Sequence, residues 1–201
     1  MTASMMWPVG SGEPDVVIVP GFGDSGAGHW QTRWQDQNQH LVRISPASWT
    51  EPDLGDWLSA LERAADHRRP VLVAHSLGCL LSIEWARRNP QAVAGLFLVA
   101  LPDPVAASFP LPDSPFARID LEHALPVPAL VIASENDEYC GSERSAEIAR
   151  ALGAGWISLG PVGHINADSG LGPWRQGLDL LTAFVSGFDR QQKSRGCGSS
   201  G

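Results

Sequence analysis

Four apolar residues, Val71, Leu72, Val73 and Ala74, run without a spacer into His75-Ser76-Leu77-Gly78-Cys79, and a helical pattern begins at once. A buried strand passes into a helix with no loop residues only if the chain turns sharply at one position. Ser76 occupies that position. Such a turn lifts the hydroxyl clear of the sheet and leaves N–H groups at the helix start unpaired beside it. The segment therefore demands a strand–turn–helix unit and exposes a serine at its edge.

The rest of the chain repeats that alternation. Six short apolar runs read as strands, at 15–20, 41–45, 71–74, 94–100, 129–134 and 156–159. They are rich in Val, Ile and Leu and continuous, the pattern of strands covered on both faces. Helical patterns lie at 28–37, 53–65, 77–88, 142–152 and 174–188. In the second, Trp57, Leu58, Leu61 and Ala65 share one face at spacings of three and four. The third stops before Asn89-Pro90. The fourth has Ser142 as its expected cap and Gly153 behind it. The fifth gathers Leu178, Leu181, Phe184 and Val185 on one face. Alternating strands and helices imply a mostly parallel sheet with right-handed crossovers and helices on both faces.

The stretch 102–115 carries Pro102, Pro104, Pro110, Pro112 and Pro115 and reads as an irregular excursion over one edge of the site, not as a linker. The expectation is one domain over 1–190. The remainder, 191–201, ends in Cys197-Gly198-Ser199-Ser200-Gly201 and reads as a disordered tail.

Composition excludes several classes of function. A net charge of −8 lacks the basic footprint of sequence-independent nucleic-acid binding. The N-terminal Met1–Pro8 stretch lacks the basic start and long apolar run of a signal peptide. No run approaches the roughly 20 apolar residues of a membrane helix. Cys79, Cys140 and Cys197 are odd in number and widely spaced, which disfavours a disulfide framework or a zinc cluster and fits a reducing cytoplasm. Partners in the form of nucleic acid or membrane are therefore not expected, and a protein partner is left unspecified. Eight tryptophans against one tyrosine is unusual. Most read as core. Trp30, after a glycine-rich loop, and Trp174, beyond His164, are candidate walls of an apolar pocket.

Serine is a weak nucleophile and needs a general base, which in turn needs an orienting acid. In an open parallel sheet the site lies outside the carboxyl ends of the strands. Asp137 follows the run 129–134 directly, and His164 follows the last run. Each alone reads as a cap, turn or structural residue. Together with Ser76 they give the chain order Ser, Asp, His, with room for one βα unit between acid and base, which is the order of α/β-hydrolases. Glu135, Glu138 and Asp168 compete for the acid role.

An oxyanion hole would combine the N–H of Leu77 with one from Pro20-Gly21-Phe22-Gly23-Asp24-Ser25-Gly26-Ala27-Gly28, where Phe22 is the expected donor. The glycines of this loop fit neither G-x-G-x-x-G with an acidic ribose ligand nor a P-loop. His75 is expected to pack beneath the turn, and Cys79 to be a buried packing residue. A Cys140–His dyad is disfavoured because Ser76 holds the better scaffold position.

The chain resembles the retinoblastoma-binding-protein-9/YdeN-like family of small α/β-hydrolases from about residue 15 to 184. The resemblance rests on Val19-Pro20-Gly21, Ala74-His75-Ser76-Leu77-Gly78-Cys79, Asp137-Glu138-Tyr139-Cys140 and, most specifically, Gly163-His164-Ile165-Asn166-Ala167-Asp168-Ser169-Gly170-Leu171-Gly172-Pro173-Trp174. It implies a six-stranded sheet of order 2-1-3-4-5-6 with no large lid domain, and a serine hydrolase of carboxylesterase type. Two departures stand out. Ala74 replaces the first glycine of G-x-S-x-G. Leu77-Gly78-Cys79-Leu80-Leu81 begins like an L-x-C-x-E pocket-protein motif but ends in leucine, so that binding mode is not supported.

The expected function is hydrolysis of a small acyl ester through Ser76, His164, Asp137 and an acyl-enzyme, with no metal or organic cofactor. An amide or thioester is the open variant. The rival expectation is a binding module that keeps the fold without useful turnover.

Overall fold

The computed structural model describes residues 14–196, with side-chain environments through residue 188. Met1–Pro8, Cys197 and residues 198–201, about which the sequence raised expectations, lie outside the described residues. Six parallel strands form one sheet: β1 (Val16–Val19), β2 (Val42–Arg43), β3 (Val71–His75), β4 (Gly95–Val99), β5 (Ala129–Ala133) and β6 (Gly155–Ser158). Their order is β2-β1-β3-β4-β5-β6, as the resemblance implied. Five helices connect or follow them: α1 (Trp30–Gln37), α2 (Leu54–Ala65), α3 (Leu77–Arg88), α4 (Ser142–Ala151) and α5 (Arg175–Gly196).

The strands feed two cores by simple alternation. Val17 and Val19, Leu72 and Ala74, and Leu96 and Leu98 face one side, where they meet Trp57 and Leu61 of α2, Leu80 and Ile83 of α3, and Ile148 of α4. Val16 and Ile18, Val71 and Val73, and Phe97 and Val99 face the other, against Trp30 and Trp34 of α1 and Leu178, Leu181 and Val185 of α5. Central strands buried on both faces explain why the apolar runs are continuous.

Several expectations are corrected. Not every strand is buried on both faces: β2 is partly exposed and β6 is exposed at Gly155 and Trp156, because both lie at sheet edges. The run expected at 41–45 pairs over only two residues for the same reason. Ser142 is the first residue of α4 rather than its cap; Gly141 is the cap and offers no side-chain acceptor. By contrast, Asp53 caps α2, accepting the Asp56 N–H. α5 runs to Gly196, into the stretch that begins at Gln191. The proline-rich stretch is irregular apart from a 3₁₀ turn at Pro115–Arg118, and it buries Phe109 and Phe116 against the α3 side of the sheet. Among the described residues no helix is long and apolar enough to cross a membrane.

Candidate active site

Ser76 joins β3 to α3 at φ 53° and ψ −125°. A side chain in that region costs about 1–3 kcal/mol and persists only where its surroundings enforce it. Here its N–H donates to the Val99 carbonyl of β4 at 3.0 Å. Two glycines make room. A Cβ on Gly78 would fall on the carbonyl oxygens of Val19 and Pro20, and one on Gly21 would lie 2.8 Å from the Ser76 Cβ. Ala74 is fully buried in β3 beside Val19, so its methyl is accommodated two residues before the serine.

The structure brings the three widely separated candidates together. His164 Nε2 is 2.8 Å from Ser76 Oγ, and His164 Nδ1 is 2.9 Å from each oxygen of Asp137. A carboxylate only accepts, so Nδ1 carries the proton and Nε2 offers its lone pair to the serine hydroxyl. Asp137 is buried and also accepts the Tyr139 N–H at 3.0 Å. The competing acids are elsewhere. Glu135 is exposed and within reach of the Ser158 hydroxyl. Glu138 is exposed at the cavity mouth, and Asp168 sits in an exposed 3₁₀ turn. The thiols are poor rivals. Cys79 and Cys140 are buried, and burial pushes the Cys140 thiol up to about 12 and that of Cys79 well above its usual value.

Ser76 and His164 open on a cavity of about 380 Å³. Leu77 and Phe22, the expected oxyanion donors, both line it, and neither N–H has a backbone acceptor among the described residues. Phe109, Pro102 and Pro110, from the proline-rich excursion, form an apolar side.

Trp30 and Trp174 are not pocket walls. They are buried in the core behind the site, in contact with each other and with Trp34. Large flat rings serve there as packing because α1 and α5 must fill the space beneath the sheet end.

Sequence reasoning missed His29, Tyr139 and the wall formed by Phe109. The Tyr139 ring lies 4.5 Å from that of His164. His29 caps α1, its Nδ1 accepting the Gln31 N–H, and burial pushes its pKa down to about 4, with Arg43 adding to the effect. A histidine directly after the glycine-rich loop of β1, at the carboxyl end of the sheet, was the available signal. His75 is buried as expected, and burial holds its ring well below the usual protonation range.

A family model described as serine hydrolase matches residues 16–183. The chain belongs to the serine hydrolase family. This serine hydrolase is similar to a YdeN-like hydrolase of Pectobacterium atrosepticum, with 33% identity, a TM-score of 0.79, and coverage of 88% of this chain and 92% of that one. It shares the fold of the ydeN gene product of Bacillus subtilis at 24% identity and a TM-score of 0.69, over 86% and 99% of the two chains. It also shares the fold of a Bacillus subtilis carboxylesterase at 14% identity and a TM-score of 0.59, over 89% and 85%. No curated protein sequence gives a significant match.

Proposed function

We propose that this serine hydrolase cleaves small acyl esters by the carboxylesterase route, with Ser76 as nucleophile, His164 as general base and acid, and Asp137 as the orienting carboxylate. Ser76 Oγ attacks the substrate carbonyl while His164 Nε2 takes its proton. The resulting oxyanion is held by the N–H groups of Leu77 and Phe22. The intermediate collapses to an acyl-enzyme as the imidazolium returns its proton to the departing alcohol. Water then attacks the acyl group, His164 takes a proton from it, and the acid leaves as Ser76 regains its hydrogen. Protein groups and water account for every proton and electron pair in this sequence.

One observation carries the reading: an unbroken Asp137–His164–Ser76 chain, with 2.9 and 2.8 Å contacts, ending in a hydroxyl at the cavity. The cavity's size and its apolar side of Phe109, Pro102 and Pro110 favour a compact, uncharged acyl group. A fluorophosphonate probe tests the assignment directly. The wild-type protein is expected to label and Ser76→Ala to remain unlabelled. Equal labelling of the two would remove Ser76 from the mechanism.

A further inference from the structure

The loop that carries His164 has little regular structure of its own. It lies between β6 and a 3₁₀ turn at Ala167–Ser169, and Gly163 and Ile165 stand at φ 66° and 49°. For a β-branched residue such as Ile165 that conformation is unfavourable and requires outside support.

Three side chains from distant parts of the chain supply that support. Asn136 Oδ1 accepts the Gly163 N–H at 2.7 Å. His75 Nε2 lies 2.9 Å from the His164 carbonyl oxygen. Trp30 Nε1 donates to the Ile165 carbonyl at 2.8 Å. A carbonyl oxygen only accepts, so Nε2 of His75 carries the proton. Both donors are buried, and the His75 ring packs against those of His29, at 4.6 Å, and His164, at 4.9 Å. Trp30 lies behind the cavity, while His75 also lines it beside Ser76 and packs its ring on that of His164. Each acts on the backbone from which the imidazole hangs.

We propose that His75 and Trp30 are positioning residues for His164, clamping two successive carbonyls so that the imidazole stays in line between Asp137 and Ser76. The inference rests on the reading of His164 as the general base. It gives His75 a second meaning. As the residue before Ser76, it links the backbone of the nucleophile to that of the base through one hydrogen bond. A buried donor to a carbonyl is worth most where its loss leaves that carbonyl unpaired. Here the loss would also free the base to drift.

The test is steady-state hydrolysis of p-nitrophenyl acetate. His75→Phe and Trp30→Phe each keep an aromatic ring and remove the N–H. Each is expected to lower kcat roughly 10- to 100-fold with KM changed less than about threefold. His75→Gln, which restores a donor, should regain most of that loss. In a His164→Ala background, His75→Phe should cost nothing further, because its effect passes through the missing imidazole. The downfield proton signal of His164 Nδ1 should broaden or shift in His75→Phe and return in His75→Gln.

Wild-type kcat in both Phe variants would overturn the clamp, as would an undiminished effect of His75→Phe in the His164→Ala background. Should His75→Phe not fold, Trp30→Phe carries the same comparison. Failure of the parent reading is distinguishable: His164→Ala would then hydrolyse the ester at the wild-type rate.

Discussion

The serine turn and the histidine loop meet at two hydrogen bonds, Ser76 Oγ to His164 Nε2 and His75 Nε2 to the His164 carbonyl, yet they are held by different means. The turn is built locally. β3 and α3 are contiguous with Ser76, and the close approach of the β1 end is permitted by Gly21 and Gly78. The histidine loop is flanked on its far side by only a three-residue 3₁₀ turn. Its shape is imposed by Asn136, His75 and Trp30, which arrive from three other places in the chain. A strained backbone can therefore be stabilised in two ways: by contiguous regular structure that leaves no alternative path, or by remote side chains that pair its N–H and carbonyl groups. The first kind is sensitive to added volume. The second is sensitive to lost hydrogen bonds.

The largest expected effect lies where the two regions join. His164→Ala should lower the rate of ester hydrolysis by roughly 10⁴- to 10⁶-fold, measured as kcat, since members of such a unit act together. An unchanged rate would separate the loop from the chemistry altogether. Next comes volume at the turn. Gly78→Ala should cost about 3 kcal/mol in denaturant unfolding, because the added methyl meets backbone carbonyls that cannot move aside. A wild-type midpoint would show that the turn has more slack than its geometry implies.

Acid should weaken the part of the molecule beneath the histidine loop. His29 is pushed down to about 4 and His75 is lowered in the same direction, both first by burial. Their folded-state values lie below the unfolded value of about 6.5, so between these the unfolded chain binds more protons. The stability associated with neutral His29 is complete above about pH 6.5 and is lost progressively as the pH falls toward 4. Melting temperatures across pH 7 to 4 should drop over that window, and His29→Gln should flatten the drop. An identical pH profile in that variant would exclude His29 as a contributor. The smallest effect is the control for volume. Gly26 has open space around it and no left-handed backbone, so Gly26→Ala should change stability by no more than about 0.5 kcal/mol. A large loss there would undo the contrast with Gly78.

The same contrast governs what could be read in advance. The strands and helices of the interior were legible because burial on both faces writes continuous apolar runs, and amphipathic helices write periodic ones. The two outer runs were legible as strands but not as edges, since β2 and β6 carry the same residue types yet lack a second neighbour. Ser76, Asp137 and His164 were legible from their order and their strand ends. The wall was misread. Trp30 and Trp174 stand next to the right loops, but proximity in sequence says nothing about which side of a backbone a ring occupies. Phe109, which does line the cavity, sits in an irregular stretch with no period to reveal its direction.

The sequence by itself determined the alternating architecture, and through the family resemblance it implied the order of the sheet. It also determined the candidate nucleophile, acid and base, because strand ends and turn residues are local signals. Only the tertiary structure decided which acid faces His164, which rings line the cavity, and which buried donors hold the histidine loop. Those choices depend on distances between residues far apart in the chain, and packing fixes such distances only when the whole sheet is assembled.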